Sequence, residues 1–346
     1  MGKIQVISDE LSNKIAAGEV VEKCASVVKE LIENLIDAKA NDIKIELIES
    51  GIKSIKVTDN GIGMDKEDTK LCFTSHATSK IKTEDDLFNI STLGFRGEAL
   101  PSIASVSYVI LKTCNEKDSI IYELDGGKIV KEYSGDLRKG TSIEVKDLFY
   151  NTPARLKYLS SLQSELANIV TVINKAAFSH TNIRFTLIND GKEILKTTGS
   201  SDLLKTINDI YGVKIAKKML HIKAENEDYN VYGYISLPEI TKSNRNHIIT
   251  IVNGRVVRNT ELNRVINDSY FKYKFENRYP VVVLQINVDP TLTDVNIHPS
   301  KMDIKFSNFE DLKLLIKDSI MNALDNHFLA PTVDNSSIKI DNVVSK

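Results

Sequence analysis

A helix and a strand that each carry polar residues where a packed structure calls for apolar ones set the tightest limit on how this chain folds. At about 100° per residue, the segment Val27 to Ala38 gathers Glu30, Glu33, Asn34 and Asp37 into one sector. Val28, Leu31, Ile32, Leu35 and Ile36 fill the opposite side, so the helix packs on a core and presents oxygen ligands outward. The strand Ser54 to Thr58 runs into Asp59-Asn60-Gly61-Ile62-Gly63. Ile55, Val57 and Asp59 share one face by the period of two, so a carboxylate stands where a third apolar residue is expected. It needs a donor to pair with.

With 346 residues, 42% hydrophobic and 27% charged, the chain is long for one domain and comfortable for two. Ile43, Ile45 and Leu47 alternate before Glu49-Ser50-Gly51, and Ile55 and Val57 alternate after it, which predicts a hairpin. Ile62 to Glu67 reads as the first turn of another helix. Thr74 to Gly97 has little periodicity and reads as a long loop before a helix from Glu98. Strands follow at Val106 to Thr113, Ser119 to Leu124, Lys128 to Tyr133 and Thr141 to Val145, then a helix at Ser161 to Phe178. The second unit has strands near Ile183 to Ile188, Glu193 to Thr197, Tyr229 to Leu237, His247 to Asn253 and Val281 to Val288. Helices near Asp202 to Tyr211, from Thr260 and at Phe309 to Phe328 interleave with them, and Asn253-Gly254 is a hairpin turn signal. Two mixed α/β domains are expected, dividing between residues 150 and 215, with a frayed tail from Thr332.

Several function classes fall away. No apolar run approaches the roughly 18 residues of a membrane span, and Met1-Gly2-Lys3-Ile4 lacks the start of a signal peptide, so a cytoplasmic protein is expected. Cys24, Cys72 and Cys114 are too few and too scattered for a disulfide framework or a zinc site and are expected to be structural thiols. The net charge of −2 argues against a uniformly nucleic-acid-binding surface. Between Lys242 and Arg278, however, eight Lys/Arg face three acids, a local basic segment with aromatic residues among them. Its alternatives are a DNA groove or a solvated helix with Tyr270, Phe271 and Phe275 in the core. No Walker-type Gly-x-x-x-x-Gly-Lys-Ser/Thr run occurs.

Glu30 and Asn34, at i and i+4, fit a water-orienting base beside a Mg²⁺ oxygen ligand, or else a solvated acidic face. Asp59-Asn60-Gly61 is either a hairpin turn or an inward carboxylate able to accept the exocyclic amine of adenine. Gly94-Phe95-Arg96-Gly97-Glu98 offers free N–H groups before a helix to a phosphate, or is a glycine-rich turn. Thr78-Ser79-Lys80 is a phosphate contact or loop, and Lys139-Gly140-Thr141 says little alone.

Taken in order, Lys29 to Asn34 with Asp37-Ala38, Asp59 to Met64, and Gly94 to Leu100 resemble the successive ATP-site motifs of the GHKL superfamily. Asn13-Lys14-Ile15-Ala16-Ala17-Gly18-Glu19-Val20-Val21, His76-Ala77-Thr78-Ser79-Lys80 and Asn151-Thr152-Pro153-Ala154-Arg155-Leu156-Lys157 narrow the resemblance to the MutL family of DNA mismatch-repair ATPases. Val252-Asn253-Gly254-Arg255 and Asp294-Val295-Asn296-Ile297-His298-Pro299-Ser300-Lys301 extend it, so that it spans about residues 4 to 328. The resemblance implies a mixed α/β Bergerat-type sandwich over residues 1–210, a ribosomal-protein-like α/β domain over 211–330 and a flexible tail over 331–346.

It also implies roles. Glu30 would be the general base and Asn34 the Mg²⁺ ligand, with Asp37 in support and Glu33 supporting or solvated. Asp59 would read adenine, with Gly61, Gly63 and Met64 shaping the base pocket and Thr141 backing Asp59. Thr78, Ser79 and Lys80, with Leu93, Gly94, Phe95, Arg96, Gly97, Glu98, Ala99 and Leu100, would form the lid over the phosphates of ATP. Lys301 would reach the γ-phosphate from the second domain. Ile15 to Val20 would order across a partner subunit, giving an ATP-dependent homodimer. DNA, bound without sequence preference, and a MutS-like mismatch sensor with other repair proteins would be partners, at the nucleoid if the source is bacterial. Family members carry a C-terminal dimerisation domain, sometimes an endonuclease, which does not precede Lys346, so the chain reads as a portion of a longer protein. Cys24, Leu35 and Lys39 stand where the family commonly has Pro, a small residue and Gly. None of the three touches the assigned roles. The rival expectations are another GHKL machine, such as a type II topoisomerase subunit or a chaperone, or a DNA-binding scaffold that uses ATP only as a conformational ligand.

Overall fold

The computed structural model describes residues 9–81, 83, 92–94, 96–136, 138–295 and 304–329. Phe95, Lys301 and the tail from Thr332 lie outside them. Helices α1 (Asp9–Val20) and α2 (Cys24–Asp37) precede the hairpin of β1 (Asp42–Ile48) and β2 (Ser54–Asp59), and α3 (Lys66–Leu71) follows it. Next come α4 (Ala99–Ser105), β3 (Tyr108–Cys114), β4 (Ser119–Asp125), β5 (Lys128–Ser134) and β6 (Gly140–Lys146). Helices α5 (Pro153–Lys157) and α6 (Leu162–Ser179) lead to β7 (Arg184–Asn189) and β8 (Lys192–Lys196).

These eight strands form one sheet in the order β5-β4-β3-β6-β2-β1-β7-β8. Only β1 and β7 pair in parallel, which the α5–α6 crossover permits. Ile43, Ile45 and Leu47 of β1 lie opposite Asp59, Val57 and Ile55 of β2, so the inward face of the hairpin is continuous. Against it α2 buries Val27, Val28, Leu31, Ile32 and Leu35, and α6 buries Ile169, Ile173 and Ala177. At about 1.5–3 kcal/mol for each large apolar side chain removed from water, this packing fixes the rotation of α2 and with it the direction of the polar stripe. Leu35 lies in this core at 5% exposure, so its departure from the family pattern is a matter of packing.

Helices α7 (Leu203–Tyr211) and α8 (Val213–Ala216) join the first sheet to a second. It contains β9 (Met219–Glu225), β10 (Tyr229–Ser236), β12 (Ile248–Val252), β13 (Arg255–Val257) and β15 (Val282–Val288), ordered β13-β12-β15-β10-β9. Two small pairs, β11 (Thr241–Lys242) with β14 (Tyr279–Pro280) and β16 (Thr293–Val295) with β17 (Ile304–Phe306), flank it. On one face α9 (Thr260–Asp268) contributes Leu262 and Ile266, and α10 (Phe309–Leu329) contributes Leu312, Ile316, Ile320 and Leu324. Phe178 of α6 and Ile207 of α7 pack on the other face against Ile249, Ile251 and Val283. Each sheet has its own core, and α6 touches both.

The sequence pattern does not predict helix α1, for a physical reason. Its sequence has little amphipathic pattern and an interior glycine, which costs about 1 kcal/mol against Ala. Tertiary contacts hold it: Ala17 is fully buried, and the Arg155 Nη2 group donates to the Lys14 carbonyl at 3.0 Å. A Cβ on Gly18 would lie 2.6 Å from that same Nη2, so the guanidinium lies across the glycine. Cys24 and Cys114 are buried, and burial pushes the thiols of Cys24 and Cys72 up to about 12. A raised thiol disfavours the reactive thiolate, which fits structural thiols, with Cys72 only partly buried. Among the described residues no helix is long and apolar enough to cross a membrane.

Candidate functional site

The apolar faces of β2, β3 and β6 all turn polar at the same end. Ile55 and Val57 lead to Asp59, Val109 and Leu111 to Thr113, and Val145 and Ile143 to Thr141, all buried. Asp59 has the donors that a carboxylate there requires: Oδ1 accepts from the Gly61 N–H at 2.6 Å and Oδ2 from the Thr141 N–H at 3.1 Å. Burial nevertheless raises its carboxyl from 3.8 to about 6, against the lowering effect of those two bonds. Thr113 Oγ1 accepts from the Met64 N–H at 2.9 Å and lies 3.0 Å from Thr141 Oγ1. Thr113 was not among the expected residues, although its place on a buried face in phase with Val109 and Leu111 is the same signal that singled out Asp59.

The turn after β2 is tied to the end of α2. Ile62 N–H donates to the Ala38 carbonyl at 3.1 Å, and Asn60 Oδ1 accepts from the Asn41 and Asp42 N–H groups at 3.0 and 3.1 Å. Gly63 has φ of +69°, and a Cβ there would stand 2.0 Å from the Cys114 carbonyl oxygen. Gly97, at φ of +65°, would place one 2.3 Å from the Ala77 carbonyl oxygen. Both glycines are therefore demanded by neighbouring backbone in addition to any bound molecule. Gly63→Ala is expected to destabilise the chain by about 2 kcal/mol or more, from left-handed backbone plus the clash. A thermal melt checks it; an unchanged transition would show that the turn relaxes freely.

Along α2 the stripe is paired. Lys29 Nζ sits 3.0 Å from both Glu30 Oε1 and Glu33 Oε1. Burial opposes its charge, yet the two carboxylates hold Lys29 above its ordinary value. One turn further on, Lys80 Nζ donates to Asn34 Oδ1 at 2.9 Å and to Asp37 Oδ2 at 2.5 Å. Asp37 also accepts from the backbone, Oδ1 from Leu93 N–H at 3.0 Å and Oδ2 from Gly94 N–H at 3.2 Å. The loop expected over residues 74 to 97 is thus pinned to α2 at two places. Thr78 Oγ1 accepts from the Lys80 N–H at 3.2 Å, with Ser79 between them. Glu98 pairs with the His76 ring at 2.6 Å, Arg96 is exposed, and Ala99 and Leu100 open α4.

Two groups of expected residues therefore form: Asn34, Asp37, Lys80, Leu93 and Gly94 at one place, and Asp59, Gly61, Met64 and Thr141 at another. They are joined through Asp37-Ala38 and the Ile62 bond, with Glu30 one turn back along α2. A cavity of about 460 Å³ borders the first group and not Asp59; Asp37, Leu93, His180, Asn253, Gly254 and Arg255 line it. Among the described residues no group of three or more His, Cys, Asp or Glu side chains could hold a metal ion. In the basic segment Tyr270 is buried and donates to the Ser236 carbonyl at 2.7 Å, whereas Phe271 and Phe275 are 76% and 89% exposed. Arg264 is exposed too. The core alternative holds for Tyr270 alone.

Two family models match the chain. Residues 22–154 match the histidine kinase-, DNA gyrase B- and HSP90-like ATPase, and residues 207–325 match the DNA mismatch repair protein, C-terminal domain. Among curated proteins, the DNA mismatch repair protein MutL of Streptococcus agalactiae is 50% identical over 333 residues, 96% of this chain and 51% of that protein. MutL of a Geobacillus species is 51% identical over 332 residues, 96% of this chain and 54% of that protein. The chain thus spans about half the length of the curated relatives it matches. Among solved structures, the N-terminal domain of a DNA repair protein is 27% identical with a TM-score of 0.77, covering 92% of this chain and 99% of its own. The Aquifex aeolicus MutL ATPase domain complexed with ADP is 25% identical with a TM-score of 0.62, covering 86% and 98%. A GHKL-type ATPase fold followed by a mismatch-repair α/β region, with half of the residues shared over nearly the whole chain, means that this chain belongs to the MutL family of DNA mismatch-repair proteins.

Proposed function

We propose that the chain binds ATP with Mg²⁺ and hydrolyses it, and that nucleotide occupancy drives association of two chains. The observation that carries this reading is the Lys80 ammonium held between Asn34 Oδ1 and Asp37 Oδ2. A cation already rests on the amide oxygen assigned to the metal. That donor set suits Mg²⁺ held by one protein oxygen, with phosphate oxygens and water in the remaining positions. When bound, the ion neutralises phosphate charge and polarises the γ-phosphoryl group.

The chain's own residues do the rest. Asp59 accepts the adenine amine, with the Gly61 and Thr141 N–H groups keeping its carboxylate in place. Glu30 orients the attacking water and takes its proton. Lys80, the Leu93 and Gly94 amides and the segment to Leu100 close on the phosphates, and Lys301 approaches them from the second domain. The domains are assigned as 1–210 and 211–330. The exposed Arg264, Phe271 and Phe275 suit a DNA surface, and a mismatch sensor and other repair proteins are the remaining partners. ADP in a related MutL ATPase domain supports the nucleotide assignment.

Helix α1 offers Ile15 to a second chain: its side chain is 54% exposed while Arg155 ties the neighbouring Lys14 carbonyl to the fold. Sedimentation of the chain is expected to give twice the monomer mass with a non-hydrolysable ATP analogue and the monomer mass with ADP. The same mass in both would remove nucleotide-driven association from the proposal.

A further inference from the structure

The hairpin β12–β13 reaches from the second sheet to the loop pinned on α2. Its turn uses Asn253 and Gly254 at φ of +47° and +80°, and the Asn253 side chain binds it rigidly to β15. Asn253 Nδ2 donates to the Val288 carbonyl at 2.9 Å, and Asn253 Oδ1 accepts from Val288 N–H at 3.0 Å. On the other side, Ser179 Oγ of α6 donates to the Gly254 carbonyl. Arg255 then leaves its own sheet: Nη2 donates to the Thr92 carbonyl at 2.7 Å. Thr92 immediately precedes the Leu93 and Gly94 amides that bind Asp37. The guanidinium feels both Glu33 and Asp37, which act to keep it charged against the larger, lowering effect of burial.

We infer that Arg255 is a positioning residue that couples the second sheet to the phosphate-covering loop, through the Thr92 carbonyl and the Leu93 and Gly94 bonds to Asp37. This deepens the ATPase reading and rests on it. The coupling has a direct physical route. The turn cannot move relative to β15 without breaking two side-chain bonds, so any shift of the second sheet is delivered to Thr92. Three consecutive residues of the loop are then held from two sides, by Arg255 at the Thr92 carbonyl and by Asp37 at the next two amides. An Arg fork suits this work because its several N–H groups can hold a carbonyl while the charge faces carboxylates. The cavity beside Asp37, bordered by the hairpin on one side and by the end of α2 and the turn before β7 on the other, leaves room for the hairpin to shift.

The test compares Arg255→Ala and Arg255→Lys with the unaltered chain and with Arg258→Ala, an exposed position just beyond β13. Steady-state ATP turnover is expected to lose about 10-fold in kcat for Arg255→Ala, with KM changed less than about 3-fold, because the loop is misplaced rather than the nucleotide released. Arg255→Lys should recover part of kcat, and Arg258→Ala should match the unaltered chain. Hydrogen exchange adds a readout that a packing role alone would not move. In the unaltered chain a non-hydrolysable ATP analogue should protect the Leu93–Gly94 segment and the 253–256 turn together, and in Arg255→Ala the turn should no longer respond. Equal kcat and equal co-protection in Arg255→Ala would overturn the coupling while leaving the ATPase reading intact. An unaltered chain that neither binds nor turns over ATP would overturn both.

Discussion

Glu30→Ala is expected to lower ATP turnover by about 10²-fold or more while ATP still binds, the scale of a lost general base. The two effects separate because of where Glu30 sits. Its side chain is 25% exposed and bonded to Lys29, one helical turn from Asn34. The contacts assigned to nucleotide affinity involve other residues: Asp59 with Gly61 and Thr141, and Lys80 with Asn34 and Asp37. Ala is a good helix former, and the apolar face of α2 that packs on the sheet is untouched. Lys29 keeps Glu33 as a partner, so no charge is left buried alone. Phosphate release and nucleotide binding measured on the same sample check the split. Surviving turnover would remove Glu30 as the base. Lost binding would mean that the side chain holds the site together instead of working in it. A protein using ATP purely as a conformational ligand would show the same slow release with and without the substitution.

The features that sequence periodicity could reach are those whose position is set by one face of one element. The stripe on α2 and the odd carboxylate on β2 are of this kind, and both appear where the periods of 3.6 and 2 place them. Strand positions at the heart of the first sheet follow for the same reason: Ile43, Ile45, Leu47, Ile55 and Val57 are all buried. What periodicity missed depends on contacts between distant segments. Helix α1 is stabilised by Arg155, and β9, with its weak alternation, by the ladder to β10. The loop before α4 has no period at all, so nothing local could say that Leu93 and Gly94 would dock on Asp37. Arg255 was legible as the end of a family motif after a hairpin turn and as one of eight basic residues, but not as a partner of the loop. Its reach to Thr92 crosses 163 positions of sequence. Resemblance to a family supplied the order of the motifs, and the folded chain supplies the contacts that join them.

Asp59→Asn is expected to weaken ATP binding by about 10²-fold and to bring the affinities for ATP and GTP together, because a site built around an acceptor penalises its loss. An amide in this position keeps one oxygen, but its NH₂ must face a donor, either the Gly61 N–H or the Thr141 N–H, and an acceptor for the adenine amine is lost with the missing oxygen. The two N–H groups cannot both be satisfied. Since the side chain also secures the turn, a thermal melt accompanies the measurement. A lowered transition with ATP still preferred over GTP would make Asp59 a structural residue only. The pH dependence supplies an independent sign. Burial raises this carboxyl from 3.8 to about 6. The stability tied to its proton is therefore complete below 3.8 and is lost as pH rises through about 6, leaving an ionised group held at a cost at neutral pH. An adenine amine offsets that cost by donating to the carboxylate, so binding should release a proton and strengthen as pH rises. Between pH 7 and pH 5 the ionised fraction of a group with a midpoint near 6 falls about 10-fold, and ATP affinity should follow. The phosphates of ATP titrate alike with both proteins, so the difference from Asp59→Asn isolates the carboxyl. Parallel pH profiles for the two would mean that adenine is not read by this carboxylate.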